Sequence, residues 1–173
     1  TDNESSEAID SDTLRLSGRL PATFGWDVGG LDRAGRGVSA AHNLDGVSFE
    51  RMQRWMRYAH GIGGVLTVSM HLDNPLTSNW SAPHPWNGRG SAWDNTAGTC
   101  AAALQAGSAT HANLLERLRL VGAFLRRLQP RPVVFRPWHE FNRVWPWWGR
   151  AVCSAAEYIE LWRLTVAFLR RAT

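Results

Sequence analysis

Apolar and polar positions follow a helical period in three stretches and collapse into short apolar runs in three others. Residues 47–60 set Val47, Phe49, Met52, Trp55, Met56 and Ala59 on one side and arginines on the other, which predicts an amphipathic helix. Glycines from Gly61 to Gly64 end it. The spacing returns over 111–128 at Leu114, Leu118, Val121, Leu125 and Leu128, until Pro130 and Pro132 stop it. A third helix follows Ser154, which forms a capping box with Glu157. It turns Tyr158, Leu161, Trp162, Thr165, Phe168 and Leu169 inward. The apolar runs 22–28, 65–69 and 133–136 predict strands, with 65–69 a fully buried one. Strand then helix, three times over, argues for parallel strands joined by crossover helices. Residues 1–12 are polar, acidic and aperiodic, and read as disorder or a linker. Residues 76–110 form a long irregular segment whose tryptophans argue for function over disorder.

The polar residues then fall in consistent places. Asp27, His71, Asp73, His139 and Glu140 all lie at or just past the carboxyl ends of predicted strands. Ligands bind there in α/β folds, whether the sheet is open or closed. The densest stretch is RPWHEFNRVWPWWG, 136–149, which holds Arg136, His139, Glu140, Asn142 and four tryptophans. Ten tryptophans occur in the chain, seven of them between Trp80 and Trp148. Such rings either pack a core or offer flat apolar faces to a ligand.

Composition narrows the classes. With 173 residues, 44% hydrophobic and 20% charged, the chain fits one soluble globular domain. No apolar run approaches the ~20 residues that span a bilayer, and the acidic N-terminus lacks a signal-peptide core. No membrane association is expected. All 19 basic residues are arginine, for a net charge of +4. Arg51, Arg54, Arg57, Arg117, Arg119, Arg126 and Arg127 lie on polar helix faces and are expected to be solvated. No clustered basic stripe marks a nucleic-acid surface. Cys100 and Cys153 lack metal-binding spacing; a disulfide and two free thiols are both open.

The chemistry sorts by elimination. His139-Glu140 is no zinc-protease motif, because the second histidine position holds Arg143. His71 and Asp73 fall short of a metal shell, so no metal or cofactor is expected. A metal-dependent hydrolase using His71, Asp73 and His139 is the weakest reading. There is no GxSxG, no GxGxxG and, without lysine, no phosphate loop. Carboxylate chemistry is left. Glu140 sits among Trp138, Phe141 and Trp145, and apolar neighbours favour the protonated form that a general acid needs. Arg136 and His139 are expected to hold it and a substrate hydroxyl. Trp145, Trp147 and Trp148 are expected to stack on pyranose rings, as glycoside hydrolysis requires of an aromatic cleft. A buried Glu140 paired to Arg136 is the plain alternative.

These residues carry a resemblance. RPWHEFNRVWPWWG resembles the acid/base motif of glycoside hydrolase family 26, chiefly endo-β-1,4-mannanases. GGVLTVSMHLDNPLT, 63–77, is similar to that family's strand followed by His and then DNP or NNP. SAWDNT, 91–96, and PATFGWDVGGLD, 21–32, resemble it too, all in family order. The resemblance implies a (β/α)8 barrel, a retaining mechanism, a polysaccharide or oligosaccharide substrate of the β-mannan type, and an extracellular or periplasmic location. By position, Glu140 would be the general acid/base. Arg136, His139 and His71 would contact the sugar at the cleavage site, and Trp145 would line the same pocket. Trp93 would serve a neighbouring sugar, and Asn142 would shape the acid/base. Two positions depart from the pattern: Arg143 replaces a usual Gly, which predicts a shifted loop, and Pro146 replaces a usual Phe. Three strands cannot make a barrel of ~250 residues. The expected fold is therefore α/β, a partial (β/α)8 TIM barrel of roughly strands two to four with their helices, over residues 13–173. The family's second catalytic Glu has no match here. The chain is then expected to carry the acid/base without the nucleophile and to be inactive alone. A non-catalytic mannan-binding protein, or a relative acting on β-1,3-xylan or mixed-linkage glucan, are the alternatives. The oligomeric state is left open.

Overall fold

A computed structural model describes residues 12–33, 42–78, 87–129 and 131–172. Three parallel strands form one sheet in chain order: β1 (Thr23–Asp27), β2 (Val65–Ser69) and β3 (Val133–Arg136). Between and after them run α2 (Phe49–Gly61), α3 (Thr99–Leu104), α4 (Ala109–Arg126) and α5 (Ala155–Ala172), with a short α1 (Asp12–Ser17) ahead of the sheet. Strands that neighbour in chain order, linked by crossovers of the usual hand, put all their helices on one face. Burial agrees. Leu66 and Val68 of β2 are sealed beneath helices, while Val65 and Val134 are 49% and 57% exposed on the opposite face. The expected fully buried strand at 65–69 is thus buried on one side only, because none of the described residues covers the other.

The helix ends obey their side chains. Ser48 Oγ accepts from the backbone N–H of Arg51 at 3.0 Å to start α2, and Ser108 Oγ accepts from that of His111 at 3.0 Å to start α4. Before α5, Glu157 accepts from the Ser154 N–H at 2.7 Å while Ser154 Oγ accepts from the Glu157 N–H at 3.3 Å. This is the capping box read from the sequence. The core joins Met52 and Met56 of α2, Leu114, Leu118 and Val121 of α4, Leu161 of α5 and the buried strand residues.

Two expectations need correction, and one open question is answered. The irregular segment 76–110 contains α3 and the start of α4. A disulfide between Cys100 and Cys153 ties α3 to the residue before Ser154, with the Cα atoms 5.3 Å apart. Arg117 is not solvated but 1% exposed. Its guanidinium meets Asp32 and Ser78, and its Nε donates to Asn113 Oδ1 at 3.2 Å. An arginine enters a core when its charge is matched there, and Asp32, fully buried, supplies that match. The expected disorder of 1–12 falls almost entirely outside the described residues, and α1 begins at Asp12.

Candidate active site

The register lines up one row of polar residues across the sheet. Asp27 pairs with Ser69, and Ser69 pairs with Arg136. Side chains of paired residues share a face, so this row crowns the open face at the strands' carboxyl ends. Arg136, Asp27 and Ser69 line a cleft of about 430 Å³ together with Gly25, Asn43 and Thr67.

Asp27 is the hub of the row. Its carboxylate accepts from Ser69 Oγ at 2.6 Å, from the Gly29 N–H at 2.6 Å and from His71 Nδ1 at 2.8 Å. Burial alone would raise its pKa, but the bonds and charge from His71, with those from Ser69 and Gly29, outweigh burial and hold it below the ordinary value. An ionised carboxylate only accepts. His71 therefore carries its proton on Nδ1 while this bond is made, which leaves Nε2 outside it. Gly29 is required by the close approach: a Cβ there would lie 2.8 Å from Asp27 Oδ1 and 2.9 Å from His71 Cβ.

Around His71 the rings gather. Trp93 stacks on it at 5.1 Å with planes 6° apart, and Trp145 at 5.7 Å with planes 21° apart. Trp93 and Trp145 stack on each other at 5.1 Å. His139 meets His71 edge-on at 4.6 Å. Burial, with the neighbouring His71 and Arg136 charges, pushes the His139 imidazole below the usual histidine range. Glu140 is exposed, and its Oε2 accepts from Trp145 Nε1 at 3.1 Å.

Of the expected residues, the structure brings His71, Trp93, His139, Glu140 and Trp145 into one cluster, with Arg136 bordering it on the open face. Asn142 stands apart: it is exposed, and its backbone carbonyl accepts from Arg150 Nε at 2.8 Å. The expected stacking role of Trp147 and Trp148 is overturned, since both are fully buried. Trp147 Nε1 donates to the Leu72 carbonyl at 3.0 Å, and Trp148 Nε1 to the His139 carbonyl at 2.7 Å. They brace the site from within. Asp73 belongs to the Asp32–Arg117 group instead, 3.9 Å from Arg117 Nη1, so the metal set His71, Asp73 and His139 does not assemble. The apolar enclosure expected around Glu140 is not formed by the described residues, nor is an ion pair with Arg136.

The loop's backbone explains one departure and raises another point. Arg143 does not adopt a positive φ; among described non-glycine residues only Trp138 (φ 50°) and Glu140 (φ 60°) do. The turn is tightened farther on at Gly149, where a Cβ would come within 2.5 Å of the Arg143 carbonyl and 3.0 Å of the Pro146 ring. Pro146 is thus packed into the loop rather than displacing it.

Sequence reasoning placed Asp27 at a strand end with a positioning role and did not count it among the site residues. The readable signal was Asp-Val-Gly-Gly after an apolar run: an acid followed by a residue that lets another side chain approach. Asp94 was likewise given a positioning role, without its partners. That carboxylate accepts from Thr77 Oγ1 at 2.5 Å, from the Gly90 N–H at 2.7 Å and from Thr96 Oγ1 at 2.6 Å. Asn74 adds a bond from Nδ2 to the Asp94 carbonyl at 2.7 Å. Together they fix the loop that presents Trp93.

A parallel sheet whose carboxyl ends present a carboxylic acid, two imidazoles and a wall of indoles is the arrangement of a glycoside hydrolase. The chain belongs to glycosyl hydrolase family 26, whose sequence model matches residues 2–173. It is 30% identical over 177 residues to a mannan endo-1,4-β-mannosidase of Bifidobacterium adolescentis, covering 98% of this chain and 16% of that protein. Among solved structures it resembles a family 26 β-mannanase from Bacteroides ovatus, with a TM-score of 0.81 and 33% identity over 96% of this chain and 45% of that one. A modular endo-β-1,4-mannanase from Cellulomonas fimi matches with a TM-score of 0.70 and 35% identity, over 92% of this chain and 34% of that one. The chain thus spans less than half the length of these relatives.

Proposed function

We propose that this chain is the part of a retaining, endo-acting hydrolase of β-1,4-mannosidic bonds that holds the acid/base, with the nucleophile supplied by sequence outside it. Residues 13–173 would be roughly the second to fourth strands of a (β/α)8 catalytic domain. The observation that carries this is Glu140 at the carboxyl end of β3, bonded to Trp145 beside the His71–Trp93 stack. In this role Glu140 protonates the leaving glycosidic oxygen and later takes a proton from water. Trp93 and Trp145 offer ring faces to pyranose C–H groups. His71, its Nδ1 proton held by Asp27, offers Nε2 to a sugar hydroxyl.

A retaining enzyme needs a second carboxylate ~5–5.5 Å from the first. Asp27 is engaged by three donors. Glu157 belongs to the α5 cap and Glu160 pairs with Arg163 at 2.5 Å. The open sheet face, with Val134 and Val65 exposed, supports a larger closed barrel as the working form. The disulfide fits an extracellular or periplasmic setting, and no helix among the described residues is long and apolar enough to cross a membrane.

The test has two arms. In the full-length protein, Glu140→Ala should slow mannan hydrolysis by ~10²–10⁴-fold. It should largely spare the first step on an aryl mannoside whose leaving group needs no protonation. Equal loss on both substrates overturns the acid/base role. The purified chain should release no reducing sugar from mannan, and Glu140-dependent release by it overturns the divided-site reading. Manno-oligosaccharide binding by the full-length protein without turnover favours the non-catalytic alternative.

A further inference from the structure

We propose that Asp27, His71 and His139 form a binding site for one divalent transition-metal ion of borderline softness, of which zinc is the type. Among the described residues this is the one group of three or more potential ligands whose donor atoms all lie within 4.8 Å of one another. Each comes from the end of a different strand, so the set rests on the sheet rather than on one mobile loop. Two ligands on a tetrahedral zinc ion stand ~3.4 Å apart, given metal–ligand lengths of ~2.0–2.1 Å. Asp27 Oδ2 and His71 Nδ1 are 2.8 Å apart, so binding opens that pair by roughly 0.6 Å and draws the other donor atoms, all within 4.8 Å, closer.

A second observation points to a ligand. His139 Nδ1 is buried and has no hydrogen-bond partner among the described residues. Buried polar atoms are satisfied in nearly all native structures, so an unpartnered imidazole nitrogen beside a second imidazole and a carboxylate marks an unfilled interaction. The support around the ligands is in place. Ser69 Oγ and the Gly29 N–H orient the Asp27 carboxylate, each at 2.6 Å. Trp148 fixes the His139 backbone through a 2.7 Å bond to its carbonyl. Partners of this kind tune metal affinity as ligands do.

The donor set decides the class of ion. Two imidazoles and one carboxylate suit zinc, nickel or copper, whereas magnesium and calcium require mainly oxygen ligands. Three protein ligands leave a fourth position open to water. On binding, His71 gives Nδ1 to the metal and its proton moves to Nε2 through solvent, while Asp27 turns from hydrogen-bond acceptor to ligand. No net charge leaves the protein in this exchange. The inference rests on this geometry and not on the sugar reading, so either can fail without the other.

Zinc alone is the probe, with cobalt as its coloured substitute. Calorimetry on the full-length protein should show a saturable zinc equivalent that the His71→Gln/His139→Gln pair lacks, and cobalt should produce visible ligand-field bands that zinc erases and magnesium leaves untouched. His71→Gln and His139→Gln should each weaken zinc binding at least ~10-fold, judged against the loss seen when mere supporting residues are removed. His60→Gln, in the last turn of α2, should leave it unchanged. Absence of saturable zinc binding overturns the site, and so does binding that survives the His71→Gln/His139→Gln pair. If those variants unfold, X-ray absorption of the unsubstituted zinc complex decides: two imidazoles on the metal support the site, and fewer than two overturn it.

Discussion

Removing the Cys100–Cys153 bond is the perturbation whose size follows most directly from the structure. The two cysteines are 53 residues apart in sequence, so their link restricts a large loop of the unfolded chain. The loop-entropy relation for that length gives about 4 kcal/mol of stabilisation at 25 °C. The consequence is local as well as global. Cys153 Sγ sits 3.8 Å from the Trp147 carbonyl, and the Trp147 N–H donates to the Ala92 carbonyl at 3.1 Å. The bond thus binds the Trp147–Trp148 brace to the loop carrying Trp93. Urea unfolding followed by tryptophan emission is the assay, run oxidised, reduced with both thiols counted, and as Cys100→Ala/Cys153→Ala. With a urea slope of ~2 kcal/mol per molar, 4 kcal/mol lowers the midpoint by ~2 M. If the oxidised chain is itself less stable than that, the reduced chain is unfolded in buffer and its emission is red-shifted from the start. A midpoint that moves by less than ~0.5 M on verified reduction, for which that slope allows only ~1 kcal/mol, refutes the reasoning.

Two further outcomes are expected. Gly29→Ala should cost about 1–3 kcal/mol as an overpacked substitution and erase the His71 Nδ1–H signal in NMR. Gly61→Ala, where an added Cβ meets nothing within 4 Å, should instead stabilise α2 by up to ~1 kcal/mol; a Gly29→Ala protein that keeps the His71 signal contradicts the crowding argument. Asp94 has a pKa held below its ordinary value, since the bonds from Thr77, Thr96 and Gly90 outweigh the opposing effect of burial. A depressed carboxylate contributes stability above its unfolded pKa of ~3.9 and loses it as pH falls through the folded value. The urea midpoints of wild type and Asp94→Asn should therefore differ at pH 7 and converge below about pH 4, and a gap constant with pH would count against it.

The strands were legible because each is a short apolar run ended by Asp27, by Met70-His71 or by the Arg136 stretch. The three long helices were legible because their apolar spacing repeats for several turns. Helix α3 was not. It has six residues, too few for a period to declare itself, and it is held by the disulfide and by Thr99, which bonds to Asn74 at 3.1 Å. Arg117 misled because helical spacing places it beside Leu118 and Leu114 without revealing Asp32, 85 residues away. Within the site, His71, Trp93, His139, Glu140 and Trp145 were readable from strand-end position and motif. The burial of Trp147 and Trp148 was not, because residue type alone does not say whether a ring faces solvent or supports a neighbour that does. The full weight of Asp27 stayed hidden for a similar reason: Ser69 and His71 reach it only through the pairing of β1 with β2.

The left-handed backbone at Trp138 and Glu140 puts a limit on how this loop can drift or be improved. Each non-glycine residue held there gives up roughly 1–2 kcal/mol against the right-handed alternative. Stability selection acting alone would install glycine or asparagine at both positions. Neither exchange is open. The Trp138 ring is sealed in the core, with its Nε1 donating to Thr165 at 2.9 Å, and Glu140 is the residue proposed as the acid. A library screened only for heat resistance should accordingly accumulate substitutions at 140 that remove the proposed acid. At 138 it should accumulate none, because what a relaxed backbone would return there is smaller than what the lost indole would take away.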